Sequence, residues 1–214
     1  MKKIIIIDDH QLLREGINSW VSGNSDWQVL AKLGNLEEVK TFIESYKPSQ
    51  TDCVVAIVDL SFKVSGVNTE KLYGFEILKM FKNPELNIKT LVYSSHESGG
   101  IIAHSLSKEI GACGYVSKNS DCDTILCALE AIAKGDKFIQ QNLITSYINA
   151  QTKLNMLTKR EKEILNCVFA KYTNDEIAEN MNISKRSVEN YLSRIYDKTG
   201  TNNKQQLLEY IEMN

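Results

Sequence analysis

The sequence predicts two folds in tandem: an α/β doubly wound five-stranded parallel sheet, then a small all-α four-helix domain. Short β-branched runs alternate with amphipathic stretches over the first 134 residues. These runs end in polar residues, the pattern of a parallel sheet covered on both faces. From Asn155 onward no strand-like run remains. The predicted organisation is therefore 1–134 for the α/β domain, 135–154 for a linker and 155–214 for the helical domain.

In the α/β part, Ile4–Ile7, Val54–Val58, Thr90–Tyr93 and Gly114–Val116 read as buried strands. Between them Leu12–Val21, Leu36–Tyr46, Phe75–Phe81, Ile101–Ile110 and Thr124–Ala133 read as helices with one apolar face. Such alternation implies right-handed crossovers and a layered doubly wound sheet. The linker is amide-rich, with Gln140, Gln141, Asn142, Asn149 and Gln151. In the helical part, Thr158 with Glu161 forms a capping-box pattern ahead of Ile164, Leu165 and Val168. Thr173 or Asn174 caps a second helix, and Ser184 caps a third that carries Val188, Leu192 and Ile195. Gly200 stops that helix, and a fourth carries Leu207, Leu208 and Ile211.

Composition bounds the partners. The chain has 214 residues, 43% of them hydrophobic and 24% charged, with a formal net charge of −2. Bulk charge therefore identifies no partner, and nucleic-acid binding would need a local basic patch. The five cysteines (Cys53, Cys113, Cys122, Cys127 and Cys167) are odd in number and contain no C-x-x-C pair. They read as reduced thiols of a cytoplasmic protein. Ile4–Ile7 is too short to be a signal-peptide core or to span a membrane, so no membrane partner is expected.

The chemistry gathers at the strand ends. Asp8 and Asp9 end the first strand and Asp59 the third. Ser94 and Ser95 end the fourth, and Lys118 follows the fifth. A single aspartate there reads as an ordinary polar strand terminus, but doubly wound sheets gather ligands along this one edge. Clustered carboxylates repel one another unless a cation sits among them, and oxygen donors with few protein ligands favour Mg²⁺. Lys118 adds a point charge suited to a phosphoryl oxygen. The set suits phosphoryl transfer onto a carboxylate.

The segments Ile-Ile-Asp8-Asp9-His10, Val58-Asp59-Leu60, Tyr93-Ser94-Ser95-His96 and Gly111-Ala-Cys-Gly-Tyr115-Val-Ser-Lys118 resemble the signature of CheY-like response-regulator receiver domains. The resemblance implies that Asp59 is the phosphoacceptor, charged by a sensor histidine kinase. It implies Mg²⁺ ligation by Asp9, Asp59 and the backbone carbonyl of Ser61, with Asp8 acting directly or through water. Ser94 becomes the hydroxyl that moves to the phosphoryl group, Lys118 the cation beside it, and Tyr115 the aromatic switch that reports on Ser94. By the same resemblance, Ser61 and His96 tune hydrolysis of the acyl phosphate. The stretch Ser61–Tyr73 departs from the pattern, being longer than usual and free of proline. The three histidines, His10, His96 and His104, are too scattered for metal-ligand spacing.

The second block resembles the LuxR-type helix-turn-helix. Leu157-Thr158-Lys159-Arg160-Glu161-Lys162-Glu163-Ile164-Leu165, Asn174-Asp175-Glu176-Ile177-Ala178-Glu179, Ile183-Ser184-Lys185-Arg186-Ser187-Val188 and Ile195-Tyr-Asp-Lys-Thr-Gly200 carry it. The joint match is similar to the NarL/FixJ group of transcriptional regulators. With Val188, Leu192 and Ile195 buried, the third helix presents Lys185, Arg186, Glu189, Asn190, Ser193 and Arg194, with Tyr191 at the edge. A helix of this kind enters the major groove of double-stranded promoter DNA. Asn190 suits adenine, Glu189 can accept from cytosine, and Lys185, Arg186 and Arg194 suit phosphates. From Asn155 onward nine Lys/Arg balance nine Asp/Glu, hence net zero, so specific binding leans on a homodimer. By resemblance the last helix supplies its contact, through Leu207, Leu208 and Ile211.

Two other functions compete with this one. A regulator with an atypical receiver would bind DNA without phosphorylation. A Mg²⁺-dependent aspartyl-phosphatase of haloacid-dehalogenase type would need an Asp-x-Asp nucleophile motif, which neither the Asp8-Asp9 nor the Asp59-Leu60-Ser61 run contains. The phosphorylation-controlled regulator, not an enzyme, is the expectation carried forward.

Overall fold

The structure is a computed structural model that describes residues 1–49, 51–61 and 72–212. Its strands are β1 (Lys2–Ile7), β2 (Gln28–Leu33), β3 (Cys53–Val58), β4 (Ile88–Ser94), β5 (Gly114–Ser117) and β6 (Phe138–Ile139). The helices are α1 (Gln11–Asn24), α2 (Leu36–Ser45), α3 (Gly74–Phe81), α4 (Gly99–Ser105), α5 (Cys122–Lys134), α6 (Ile144–Leu154), α7 (Lys159–Phe169), α8 (Asn174–Met181), α9 (Lys185–Thr199) and α10 (Lys204–Glu212). Two compact units result: Met1–His96 with Ser105–Gln141, and Glu97–His104 with Asn142–Asn214.

In the first unit the strands pair in the order β2-β1-β3-β4-β5-β6, and all five pairings are parallel. The chain reverses its direction of winding at β1, so the crevice of a doubly wound sheet opens beside the carboxyl ends of β1 and β3. Their register sets Ile7 beside Val58, which puts Asp8 and Asp59 side by side one residue later. The strands stay in place because their apolar residues have nowhere else to go: Ile4, Ile5, Ile6, Val55 and Val58 are all fully buried. Helices α1 and α5 cover one face, with Ile17, Val21, Ile125 and Leu129 joining Ile4, Ile6 and Trp27 in one apolar cluster.

The expected doubly wound sheet is present with six strands rather than five. The additional strand, β6, lies in the stretch expected to be linker. Helix α6 lies there too. The helix expected over 101–110 is α4, which is shorter and begins two residues earlier.

The second unit holds α6 to α10 together with most of α4. Thr158 and Thr173 open α7 and α8 with full capping boxes, closed by Glu161 and Glu176. Ser184 accepts from Ser187 N–H at the start of α9, and Gly200 ends that helix with a left-handed φ of 67°. Between α8 and α9 the chain turns through Asn182, itself left-handed at φ 50°. Asparagine is the non-glycine residue that best tolerates this conformation. Helix α10 packs on α6, where Lys153 donates to the Tyr210 carbonyl and lies 4.9 Å from the centroid of its ring. Among the described residues no helix is long and apolar enough to cross a membrane.

Candidate acidic pocket and nucleic-acid surface

Apolar strands deliver the acids to one place. Asp59 N–H donates to Ile7 O (2.9 Å) and Asp8 N–H to Leu33 O (3.2 Å), so the ladder extends right up to the pocket. Asp8 and Asp59 are buried, at 2% and 1% exposure. Lys118 stands between them: its ammonium is 2.6 Å from Asp8 Oδ2 and 2.9 Å from Asp59 Oδ2. Burial pushes the Asp59 carboxyl above its ordinary value, against the pull of Lys118. Burial acts on Lys118 in the opposite sense, but Asp8 and Asp59 outweigh it and hold the ammonium above its ordinary value.

Neighbouring residues fix these groups. Asp59 Oδ1 accepts from Ser61 N–H (3.1 Å). The Arg14 guanidinium donates to the Asp8 carbonyl (2.5 Å). Gly74 lies hard against the acceptor's backbone, since a Cβ there would stand 2.2 Å from Asp59 O. Only glycine fits without moving Asp59. The loop expected to depart from the usual pattern, Ser61–Tyr73, lies outside the described residues over 62–71.

The donor set fits Mg²⁺. Side-chain ligand atoms of Asp8, Asp9, His10 and Asp59 all lie within 4.8 Å of one another. Asp9 Oδ1 and Asp59 Oδ2 are buried oxygens that accept no aligned hydrogen bond from the described residues. Each faces a nitrogen instead, His10 Nδ1 at 2.9 Å and Lys118 Nζ at 2.9 Å. Clustered carboxylate oxygens of this kind are the donors a hard divalent cation takes.

The remaining receiver residues separate into two groups. Ser94 is fully buried and its Oγ accepts from His96 N–H (3.2 Å). Tyr115 is fully buried and donates through its hydroxyl to His96 O (2.6 Å). His96 also meets Ser61, with Nε2 3.2 Å from Oγ. His96 thus joins Ser61, Ser94 and Tyr115, a convergence that its spacing in the chain did not reveal. Ser95 is exposed, one residue beyond β4. His10 is exposed and bonds to Asp8, and Arg14 was not marked by any sequence signal.

The second unit presents α9. Val188, Leu192 and Ile195 are buried, and Lys185, Arg186, Glu189, Asn190, Ser193 and Arg194 are exposed. Tyr191 is half-buried, with the Arg194 guanidinium 5.7 Å from its ring centroid. Lys185 pairs with Asp175 of α8 (3.0 Å). On α10, Leu207 and Ile211 are buried within the chain itself and Leu208 is half-buried, so Leu208 is the one of the three with accessible surface.

Comparison with known proteins agrees with this pairing of sites. The family model for bacterial regulatory proteins of the luxR family (GerE) matches residues 155–211. The oxygen regulatory protein NreC of Staphylococcus aureus strain MRSA252 is 31% identical over 222 residues, covering 97% of this chain and 95% of NreC. The transcriptional regulatory protein DegU of Brevibacillus brevis is 29% identical over 227 residues, covering 95% and 90%. Among solved structures, RcsB from Salmonella enterica serovar Typhimurium, bound to promoter rprA in the presence of phosphomimetic BeF3−, superposes with a TM-score of 0.68. That match is 21% identical and covers 99% of both chains. An acidic pocket on a doubly wound sheet followed by a helix-turn-helix defines the response-regulator class. Within that class the chain belongs to the NarL/FixJ family, with a receiver domain and a LuxR-type helix-turn-helix domain.

Proposed function

We propose that the chain is a phosphorylation-controlled transcriptional regulator. In this reading it accepts a phosphoryl group on Asp59 from a sensor histidine kinase and binds double-stranded promoter DNA as a homodimer. One observation carries the reading: a single ammonium, Lys118, bridges the buried carboxylates of Asp8 and Asp59. A pair of acids built only for structure would be better served by neutral partners, because burying charge is expensive. An acceptor must be ionised to attack, and Lys118 opposes the burial that disfavours its charge.

An Asp59 carboxylate oxygen attacks the phosphorus of a phosphohistidine, the P–N bond breaks and an acyl phosphate forms. Asp8, Asp9, Asp59 and the Ser61 carbonyl would hold Mg²⁺, whose chemistry is to neutralise charge on the transferring group. Lys118 binds a phosphoryl oxygen, and Ser94 offers its hydroxyl to another. Tyr115 holds the His96 backbone, and so the position of the loop that carries Ser94. Ser95, being exposed, contributes at the rim. The domains proposed are 1–134 and 155–214, and the five free thiols agree with a reducing cytoplasm.

On DNA, Asn190 and Glu189 read base edges while Lys185, Arg186 and Arg194 hold phosphates, with Ser193 and Tyr191 at the margin. Lys185 must first leave Asp175. Dimerisation through the α10 surface around Leu208 would match a two-fold site. The relatives support this reading by their own descriptions, as a transcriptional regulator and as a promoter-bound structure.

The test compares Asp59→Asn with the unaltered chain, with and without beryllofluoride and Mg²⁺. DNA affinity and oligomeric state should respond in the unaltered chain alone. Equal behaviour of the two proteins would favour the phosphorylation-independent regulator.

A further inference from the structure

The linker begins on the strand that carries the switch residues. Phe138 and Ile139 pair in parallel with Gly114 and Tyr115, and three hydrogen bonds beside that pairing bear on the linker. Phe138 N–H donates to Cys113 O (3.1 Å) and Gln140 N–H to Tyr115 O (3.1 Å). The third runs the other way, from Ser117 N–H to the side-chain Oε1 of Gln140 (2.8 Å). Gly114 permits this close approach, since a Cβ there would stand 3.1 Å from Phe138 O.

The third bond differs in kind from the other two. Ser117 is fully buried, so its N–H requires an acceptor. In a longer β6 a backbone carbonyl would supply one, but β6 is two residues long and a side-chain amide takes that place. A side chain can swing to another rotamer while the strand stays folded. The next residue is Lys118, whose N–H donates to Ser94 O (2.9 Å) and whose ammonium bridges Asp8 and Asp59. Tyr115, two residues before Ser117, is tied to His96.

We infer that Gln140 is a catch fastening the linker to β5, and that the charge on the Asp59 pocket works it. The inference rests on the phosphoacceptor reading of Asp59. A phosphoryl group there adds negative charge and draws Lys118 away from Asp8. The end of β5 moves with Lys118, and Ser117 N–H parts from Gln140 Oε1. Only the backbone pairing of a two-residue strand then remains, its end frays, and the chain leading into α6 gains freedom. The pocket thereby biases a two-state element without any ligand touching the linker.

Hydrogen exchange on the full chain tests this, with Mg²⁺ throughout and beryllofluoride as the phosphoryl stand-in. In the unaltered chain, beryllofluoride should speed exchange of amides in 138–143 roughly five- to tenfold, the weight of one net hydrogen bond. Gln140→Ala should show the fast exchange without beryllofluoride, with β1 and β3 as protected as before. Gln140→Glu keeps the acceptor oxygen and should remain slow. Exchange in Gln140→Ala equal to that of the unaltered chain would overturn the catch. So would protection gained around Asp59 with beryllofluoride while 138–143 stays unchanged. A chain in which beryllofluoride alters no amide at all would overturn the phosphoacceptor reading and the coupling together, and the Gln140→Ala comparison would then report on the fastening alone.

Discussion

Asp59 exchanges water for Lys118 when the chain folds, and the exchange is unfavourable to its charge. Its folded pKa lies above the ordinary 3.8, because burial outweighs the lysine. The folded state therefore holds this proton more tightly than the unfolded chain does. The associated stability is full below the ordinary value and is lost as pH rises through the folded value. Ionising the acceptor inside the fold is therefore a cost. Asp59→Asn should raise the melting temperature at neutral pH by roughly 2–4 °C, about 1 kcal/mol for a chain of this size. The gain should shrink towards a pH of about 4. Thermal unfolding at the two pH values decides the matter; a lower melting temperature for the variant would mean that the ion pair outweighs burial. The residues of this pocket could be read from sequence because each follows an apolar strand that must be buried. Arg14 could not, because its role depends on the Asp8 carbonyl that the fold brings to it. For His96 the resemblance gave a role but not its bonds to Ser94 and Tyr115.

At the scale of the element, α7 begins on a buried acid. Glu161 Oε2 accepts from Thr158 N–H (2.7 Å) and from the Lys198 ammonium of α9 (2.7 Å). Burial pushes its carboxyl up, yet Lys198 and Thr158 together hold it below the ordinary 4.5. Here the sign is reversed: the stability is present above 4.5 and is lost as pH falls through the folded value. Glu161→Ala should cost the helical unit roughly 1–3 kcal/mol at neutral pH, through the lost cap and the lost ion pair. The two denaturation curves should converge in acid, and a constant gap would remove the charge from the account. The capping boxes of α7 and α8 were legible because threonine and glutamate stand at a fixed spacing. Strand β2 was not, because its pattern alternates exposed and half-buried residues and leaves Leu30 39% exposed. Helix α6 was hidden by its amides, and β6 by having two residues. On α10 the apolar residues were read as a dimer surface, but Leu207 and Ile211 are used inside the chain.

For the whole molecule, the helical block has no excess of positive charge to offer DNA. Affinity must then come from a few placed contacts, and these separate by type. Asn190→Ala should cost about 1–3 kcal/mol at one base step and relax preference there. Lys185→Ala should weaken every sequence alike and lower the salt slope by about 1. Titrations against a cognate site and scrambled DNA at several salt concentrations distinguish the two, and equal losses on both DNAs for Asn190→Ala would contradict base readout.

The short strand β6 also has a consequence for solubility. It covers the outer edge of β5, which would otherwise present the carbonyls of Cys113 and Tyr115 to any passing strand. At the far edge β2 is guarded differently, by the polar residues Gln28 and Lys32, the latter paired with Glu15 (2.8 Å). Open sheet edges invite strand-to-strand aggregation. The first residues of the linker thus act as a selvedge, and a receiver cut short before Phe138 would be left with a raw edge on the strand that holds Lys118.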